Sequence, residues 1–178
     1  MLQILDKPTI MVTLDTSTTE TGYAIWRNGE LKRYSTIKGD MAINDATKRV
    51  NQMIKEILNL IEPLDPDIVI VEGLTVFNDI KTDSNLSDII GAVRGICAYR
   101  DIFFDKLFPN EWRGLIADDN EKIPTKRTDC KPWDIKKVKT FFNITTDNDN
   151  IADAVLIGLA YKILIDKYGT ALIEGEEL

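Results

Sequence analysis

The stretch Thr9-Ile10-Met11-Val12-Thr13-Leu14-Asp15 decides the fold of this chain. It is an apolar run that stops on a carboxylate. The hydroxyl-rich Thr16-Ser17-Thr18-Thr19-Glu20-Thr21 follows, and a second apolar run opens at Gly22-Tyr23. A strand that is buried along its length and ends in Asp holds that carboxylate at the edge of a sheet. There it can face a metal or a polar substrate without disturbing the core. Ile68-Val69-Ile70-Val71-Glu72 repeats the design. It is a β-branched run, as expected of a central parallel strand, and it also ends on an acid.

Working outward, Gly22–Arg27 reads as a second strand. Asn28-Gly29 then gives the strongest short hairpin signal, because both residues tolerate positive φ. Glu30 to Ile37 is the returning antiparallel strand. Ala46, Val50, Met53, Ile54, Ile57, Leu58 and Ile61 recur at helical spacing, and Pro63 and Pro66 are expected to end that helix. A second helix is predicted over Ser84–Arg100, a fifth strand from Ile102 to near Pro109, and a helix start at Pro109. A further helix is predicted over Trp133–Phe142, and a last one opens near Asp149. The expected architecture is α/β, a mixed five-stranded sheet with helices on both faces. One domain spans 1–178, with 117–131 read as a mobile basic loop and 174–178 as a frayed acidic tail.

Composition narrows the chemistry. The 178 residues are 44 % hydrophobic and 29 % charged, which suits one soluble domain with a continuous core. No apolar stretch reaches the length of a membrane span, and no signal-peptide pattern opens the chain. Cys97 and Cys130 lack metal-type spacing, so a reducing, cytoplasmic setting is expected. There are no histidines. Ser-His and Cys-His nucleophiles, His-based zinc sites and a His general base are therefore excluded. Net charge is −7, yet Lys122 to Lys139 carries seven basic residues against two acids, a local +5 that leaves −12 for the rest. Charge alone favours a solvated face for that run; the alternative is a phosphate-contacting arm.

Three acids stand out. Asp15 and Glu72 end strands expected to be neighbours. Asp153 lies beyond any capping position in the apolar helix opened by Asp147-Asn148-Asp149-Asn150. Each has a bland reading as a turn, a strand end or a cap. Together they fit a site for hard divalent cations, which take oxygen ligands. Two such ions about 4 Å apart can activate water and stabilise the leaving oxygen in phosphodiester hydrolysis.

With these residues in place, the chain resembles the RuvC family of Holliday junction resolvases, within the ribonuclease H-like superfamily. The resemblance spans Leu14 to Tyr161. It rests on Leu14-Asp15-Thr16-Ser17 with Thr21-Gly22-Tyr23-Ala24, on Ile70-Val71-Glu72, on Gly91-Ala92-Val93-Arg94-Gly95, and on Asn150-Ile151-Ala152-Asp153-Ala154. Trp112-Arg113 and the Asp/Asn-rich opening of the last helix look like the bacteriophage branch. The resemblance implies a dimeric endonuclease that cuts four-way DNA junctions with Mg²⁺ or Mn²⁺, two ions per site, in the cytoplasm of a bacterial host. Asp15, Glu72 and Asp153 match the metal-binding acids. The fourth position, usually Asp or His, falls on Asn150, with Asp149 or Asp147 as substitutes. Phe77 matches an aromatic near the junction, and Arg94 an Arg of the second helix, which the resemblance places at or near the dimer interface and among the DNA-binding residues. Arg113, Lys126, Arg127 and Lys131 fall in the basic region and are candidate phosphate contacts.

Other readings remain open at this level. A ribonuclease H-type, flap or fork nuclease would use the same fold. A non-catalytic junction-binding module would tolerate Asn150. An actin-like or sugar-kinase ATPase opens similarly, but needs a second domain that this chain lacks the length to form.

Overall fold

The computed structural model describes residues 9–74 and 80–169, apart from the side chains of Ile80, Lys81 and Arg127. The expectations for Phe77, for the Arg127 side chain and for the 174–178 tail lie outside the described residues. The elements are β1 (Ile10–Asp15), β2 (Glu20–Arg27), β3 (Glu30–Lys38), α1 (Ala46–Leu64), β4 (Ile68–Glu72), α2 (Ile80–Tyr99), β5 (Phe103–Leu107), α3 (Pro109–Ile116), α4 (Arg127–Phe142) and α5 (Asp149–Tyr168). The sheet runs in the order β3-β2-β1-β4-β5. β1, β2 and β3 pair antiparallel, whereas β1, β4 and β5 are parallel. This is the expected mixed five-stranded sheet. Parallel pairing brings the carboxyl ends of β1 and β4, and hence Asp15 and Glu72, to one edge.

The period-2 alternation of the strands sorts the core into two layers. Val12, Leu14, Tyr23, Ile25, Val69 and Val71 face α1 and α2. Met11, Ala24, Trp26, Ile68 and Ile70 face α3, α4 and α5. Asp15 is in phase with Met11, and Glu72 with Ile68 and Ile70. Both acids therefore point to the α5 side by strand geometry alone. No described helix is long and apolar enough to cross a membrane.

The Asn28-Gly29 turn has φ of 53° and 74°, the mirror-type hairpin that the sequence calls for. Several boundaries differ from expectation. β2 begins two residues early, at Glu20, and α2 begins at Ile80. Pro63 does not end α1. It sits in the last turn, and the helix stops at Asp65 in the left-handed conformation (φ 43°), whose N–H reaches the Ile61 carbonyl. The largest revision is α4. It starts at Arg127 and carries Pro132 inside, so the second part of the expected 117–131 loop is helical. Pro132 lies in the second turn, where it has no N–H to give the Thr128 carbonyl one turn back. The irregular part, 117–126, is anchored to α4. Lys137 pairs with Asp118 and Glu121 at 2.7 and 2.6 Å, and Trp133 Nε1 donates to Glu121 Oε1 at 2.9 Å.

α5 lies unusually deep on the sheet. Thr13 Oγ1, on the central strand, donates to the Ala154 carbonyl at 2.6 Å. Gly158 supplies the clearance: a Cβ there would lie 2.1 Å from Trp26 Nε1. Trp26 and Gly158 are both buried, so the clash could not be relieved outward. Gly158→Ala is therefore expected to lower stability by about 1–3 kcal/mol, although alanine is the better helix former. Urea unfolding checks this, and a variant as stable as the parent would contradict the packing described.

Candidate active site

A cavity of about 770 Å³ opens at the carboxyl ends of β1 and β4. Its lining includes Asp15, Thr16, Ser17 and Thr18 after β1, Glu72 and Gly73 after β4, and Arg113 of α3. Cys130, Lys131 and Asp134 come from α4, and Asp149, Asn150 and Asp153 from α5. The three acids expected to converge do so, from two adjacent strands and one helix.

Backbone contacts set how close α5 comes. Gly22 is the register partner of Asp15 across β1 and β2. A Cβ on Gly22 would lie 1.9 Å from the Asn150 carbonyl oxygen, so only glycine lets the first turn of α5 sit beside Asp15. Asn148 caps the helix, its side chain accepting from Ile151 N–H; neither Asp147 nor Asp149 does this. Asn148 Nδ2 also donates to Glu20 Oε1 at 3.0 Å. Asn150 Nδ2 donates to the Glu20 carbonyl at 2.9 Å. Asn150, expected as the fourth ligand, thus uses its amide nitrogen to clamp α5 to β2. Asp149 carries charge toward Asp15 and pairs with Lys131.

The acids push on one another. Burial raises Asp15 well above the usual carboxylate range, and the charges of Glu72 and Asp149 push the same way. Burial likewise raises Asp153, with Asp15, Asp134 and Glu72 adding to it and Arg113 opposing. Glu72 is raised by burial, against Trp112 Nε1, which donates to its Oε1 at 3.1 Å, and against Arg113.

Asp134 was counted in the sequence only as charge. It is 1 % exposed and accepts both Nε and Nη2 of Arg113, at 3.0 and 2.8 Å. Its signal was the one used for Asp153, an acid inside an apolar helix face, here between Cys130 and Val138. Arg113, expected on phosphate, is instead 9 % exposed. Its guanidinium lies over the Trp112 ring at 4.1 Å, and its Nη2 is 3.8 Å from Asp153 Oδ2. Lys131 lines the cavity through its Asp149 pair. Arg94, exposed on α2, and Lys126, exposed just before α4, do not line it.

The donor set suits a hard cation. Every charged donor is a carboxylate, and Asp153 Oδ1 is buried without a hydrogen-bond partner. Among the described residues no three acids are already gathered as a closed metal-binding group. Lys131 and Arg113 meanwhile hold Asp149 and Asp134.

No family model and no curated protein matches this sequence. Solved structures do match its fold. Thermus thermophilus RuvC, in complex with a Holliday junction substrate, superposes with a TM-score of 0.68 at 14 % identity, covering 90 % of this chain and 97 % of that one. The yeast mitochondrial Holliday junction resolvase Ydc2 gives 0.58 at 11 % identity, over 94 % and 85 %. Fowlpox virus resolvase with junction DNA gives 0.54 at 17 % identity, over 88 % and 99 %. The chain has the ribonuclease H-like fold of these resolvases.

The raised acids make a linkage prediction for metal-free protein. Protons held by the folded state above the ordinary carboxylate range are lost by the unfolded state first. Stability from this cluster is therefore lost as pH rises above about 4. Asp15→Asn removes one contributor, so the melting temperature of the variant minus that of the parent should grow with pH. The difference is the useful readout, because Glu121, held down at about 2 by Lys137, acts in the opposite sense. Melting curves in chelator across that range decide it. A difference that is flat or shrinks with pH would contradict the crowded-acid reading.

Proposed function

We propose that this chain is a metal-dependent endonuclease that cuts four-way DNA junctions, that is, a crossover junction endodeoxyribonuclease. The observation that carries this reading is the convergence of Asp15, Glu72 and Asp153 on one open cavity with an unpartnered carboxylate oxygen. The fold neighbours supply the substrate class, since two of them hold junction DNA.

Asp15, Glu72 and Asp153 would hold Mg²⁺ or Mn²⁺, with Asp149 as the fourth acid and Asn150 as its rival. When bound, a pair of such ions acidifies a water and stabilises the leaving oxygen of a phosphodiester. The protein's own part is placement. Trp112 orients Glu72 through its indole N–H. Asn150 and Asn148 fix the start of α5 against β2. The Thr16-Ser17-Thr18 turn and Lys131 border the cavity where a phosphate would enter. Lys126, Arg127, Lys131 and Arg94 are proposed phosphate contacts, and Phe77 a stacking residue at the branch point. A homodimer in the host cytoplasm, of the bacteriophage branch, would place two such sites on the two strands of like polarity.

Asp15→Asn should abolish cleavage and keep junction binding, since it removes a ligand and one negative charge near the phosphates. The assay compares matched junction, fork, flap and RNA–DNA hybrid substrates with Mn²⁺. Equal cleavage by variant and parent would end this reading, and junctions bound but left intact by the parent would reduce the protein to a binding module. The fourth ligand is resolved separately. Asn150→Ala is expected to keep metal-dependent cutting, at some cost in stability, whereas Asp149→Ala loses it. The reverse result would return the ligand role to Asn150.

A further inference from the structure

The guanidinium of Arg113 stands beside the acid cluster, yet it offers little to DNA. Its Nε and Nη2 are committed to Asp134, and its flat face covers Trp112. Only 9 % of the residue is exposed. Asp134 is more deeply buried and contributes nothing to the surface. A buried ion pair of this kind is weak evidence for stability, because the desolvation of both charges offsets most of their attraction. Its place therefore needs another explanation.

That explanation lies in Asp153. An arginine next to a lone carboxylate closes a two-bond fork on it. Arg113 does not do so here. Asp134 takes both arms of the fork, and Arg113 is left with a looser 3.8 Å contact to Asp153 Oδ2. Asp153 Oδ1 then stays buried and without a partner. The neighbouring Trp112 fixes Glu72 from the same turn of α3. One turn of helix thus controls two of the three acids.

We infer that Arg113 and Asp134 form a positioning pair for Asp153, in which Asp134 draws the guanidinium away from both the catalytic carboxylate and the DNA. Arg113 steadies Oδ2, and Oδ1 remains for a cation. This rests on the metal-nuclease reading above and deepens it. In Asp134→Asn the guanidinium loses its charged partner and turns onto Asp153, competing with the cation. In Arg113→Lys the positive charge remains but the fork is lost.

The test measures Mn²⁺ binding to the full chain by calorimetry, together with junction binding in chelator over a salt series and the Mn²⁺ dependence of cleavage. Both variants are expected to bind Mn²⁺ about 10–100-fold more weakly, with cleavage recovered at high Mn²⁺. Junction affinity in chelator, and its salt slope, should match the parent. The double variant Arg113→Gln with Asp134→Asn, which leaves no stray charge, should bind Mn²⁺ better than Asp134→Asn alone. It also keeps the test alive if one single variant fails to fold. Unchanged Mn²⁺ affinity in Asp134→Asn or Arg113→Lys overturns the proposal. So does a salt slope reduced by about one in the double variant, which would make Arg113 a phosphate contact. If the parent binds Mn²⁺ but cuts nothing, the nuclease reading fails while calorimetry still judges the pair. A parent that binds no Mn²⁺ ends both.

Discussion

The site depends on how closely α5 approaches the sheet. Two glycines and one hydroxyl set that distance. Gly22 leaves room for the Asn150 carbonyl, Gly158 for the Trp26 indole, and Thr13 ties the Ala154 carbonyl to the central strand. A side chain at either glycine would have to displace backbone or a buried ring. Because Gly22 is the register partner of Asp15, the first of these contacts directly fixes the gap between the β1 acid and the α5 acids. The distances that matter chemically are thus set by groups with no chemistry of their own.

The cluster built this way is electrostatically costly. Burial raises Asp15, Glu72 and Asp153, neighbouring carboxylates add to the rise of each, and Arg113 only partly compensates. An arrangement that destabilises the fold at neutral pH persists only where something else stabilises it. A divalent cation held as proposed would do so by mass action, since it would bind the folded state and find no assembled site in the unfolded chain. The Arg113–Asp134 pair fits the same logic. It places a positive charge nearby without letting that charge satisfy the acids it serves.

Much of this was legible in the sequence, for reasons that can be stated. The β-branched runs ending in Asp15 and Glu72 fix both the strands and, through period-2 alternation, the face each acid occupies. Asp153 declared itself as an acid past the cap of an apolar helix. Asp134 carried the same signal, but it stood in a dense charge run where counting replaced periodicity. Pro132 further disguised its helix, because proline beyond the first turn reads as a breaker. Asn150 illustrates a different limit. Its position along the chain suggested a ligand, and its amide nitrogen is bonded to the Glu20 carbonyl, so which way its oxygen faces depends on a strand 130 residues away.

The basic run shows why summed charge is a poor guide to a nucleic-acid surface. Lys137 is nearly buried and paired with Asp118 and Glu121, and Lys131 is paired with Asp149. Lys139 bonds Thr145 Oγ1 at 2.8 Å, next to the end of its own helix. Lys122, Lys126, Lys136 and Lys139 are the exposed lysines of that run with no ion pair among the described residues. Two of the six described basic side chains of the run are therefore already neutralised within the protein. Each neutralised phosphate contributes to the salt dependence of binding, so a surface with few free lysines gives a shallow slope. Lys131 is the exception worth separating, because its partner Asp149 is itself a candidate ligand. In the proposed nuclease, a cation on Asp149 would release Lys131 toward a substrate phosphate, coupling metal occupancy to DNA contact through a single ion pair.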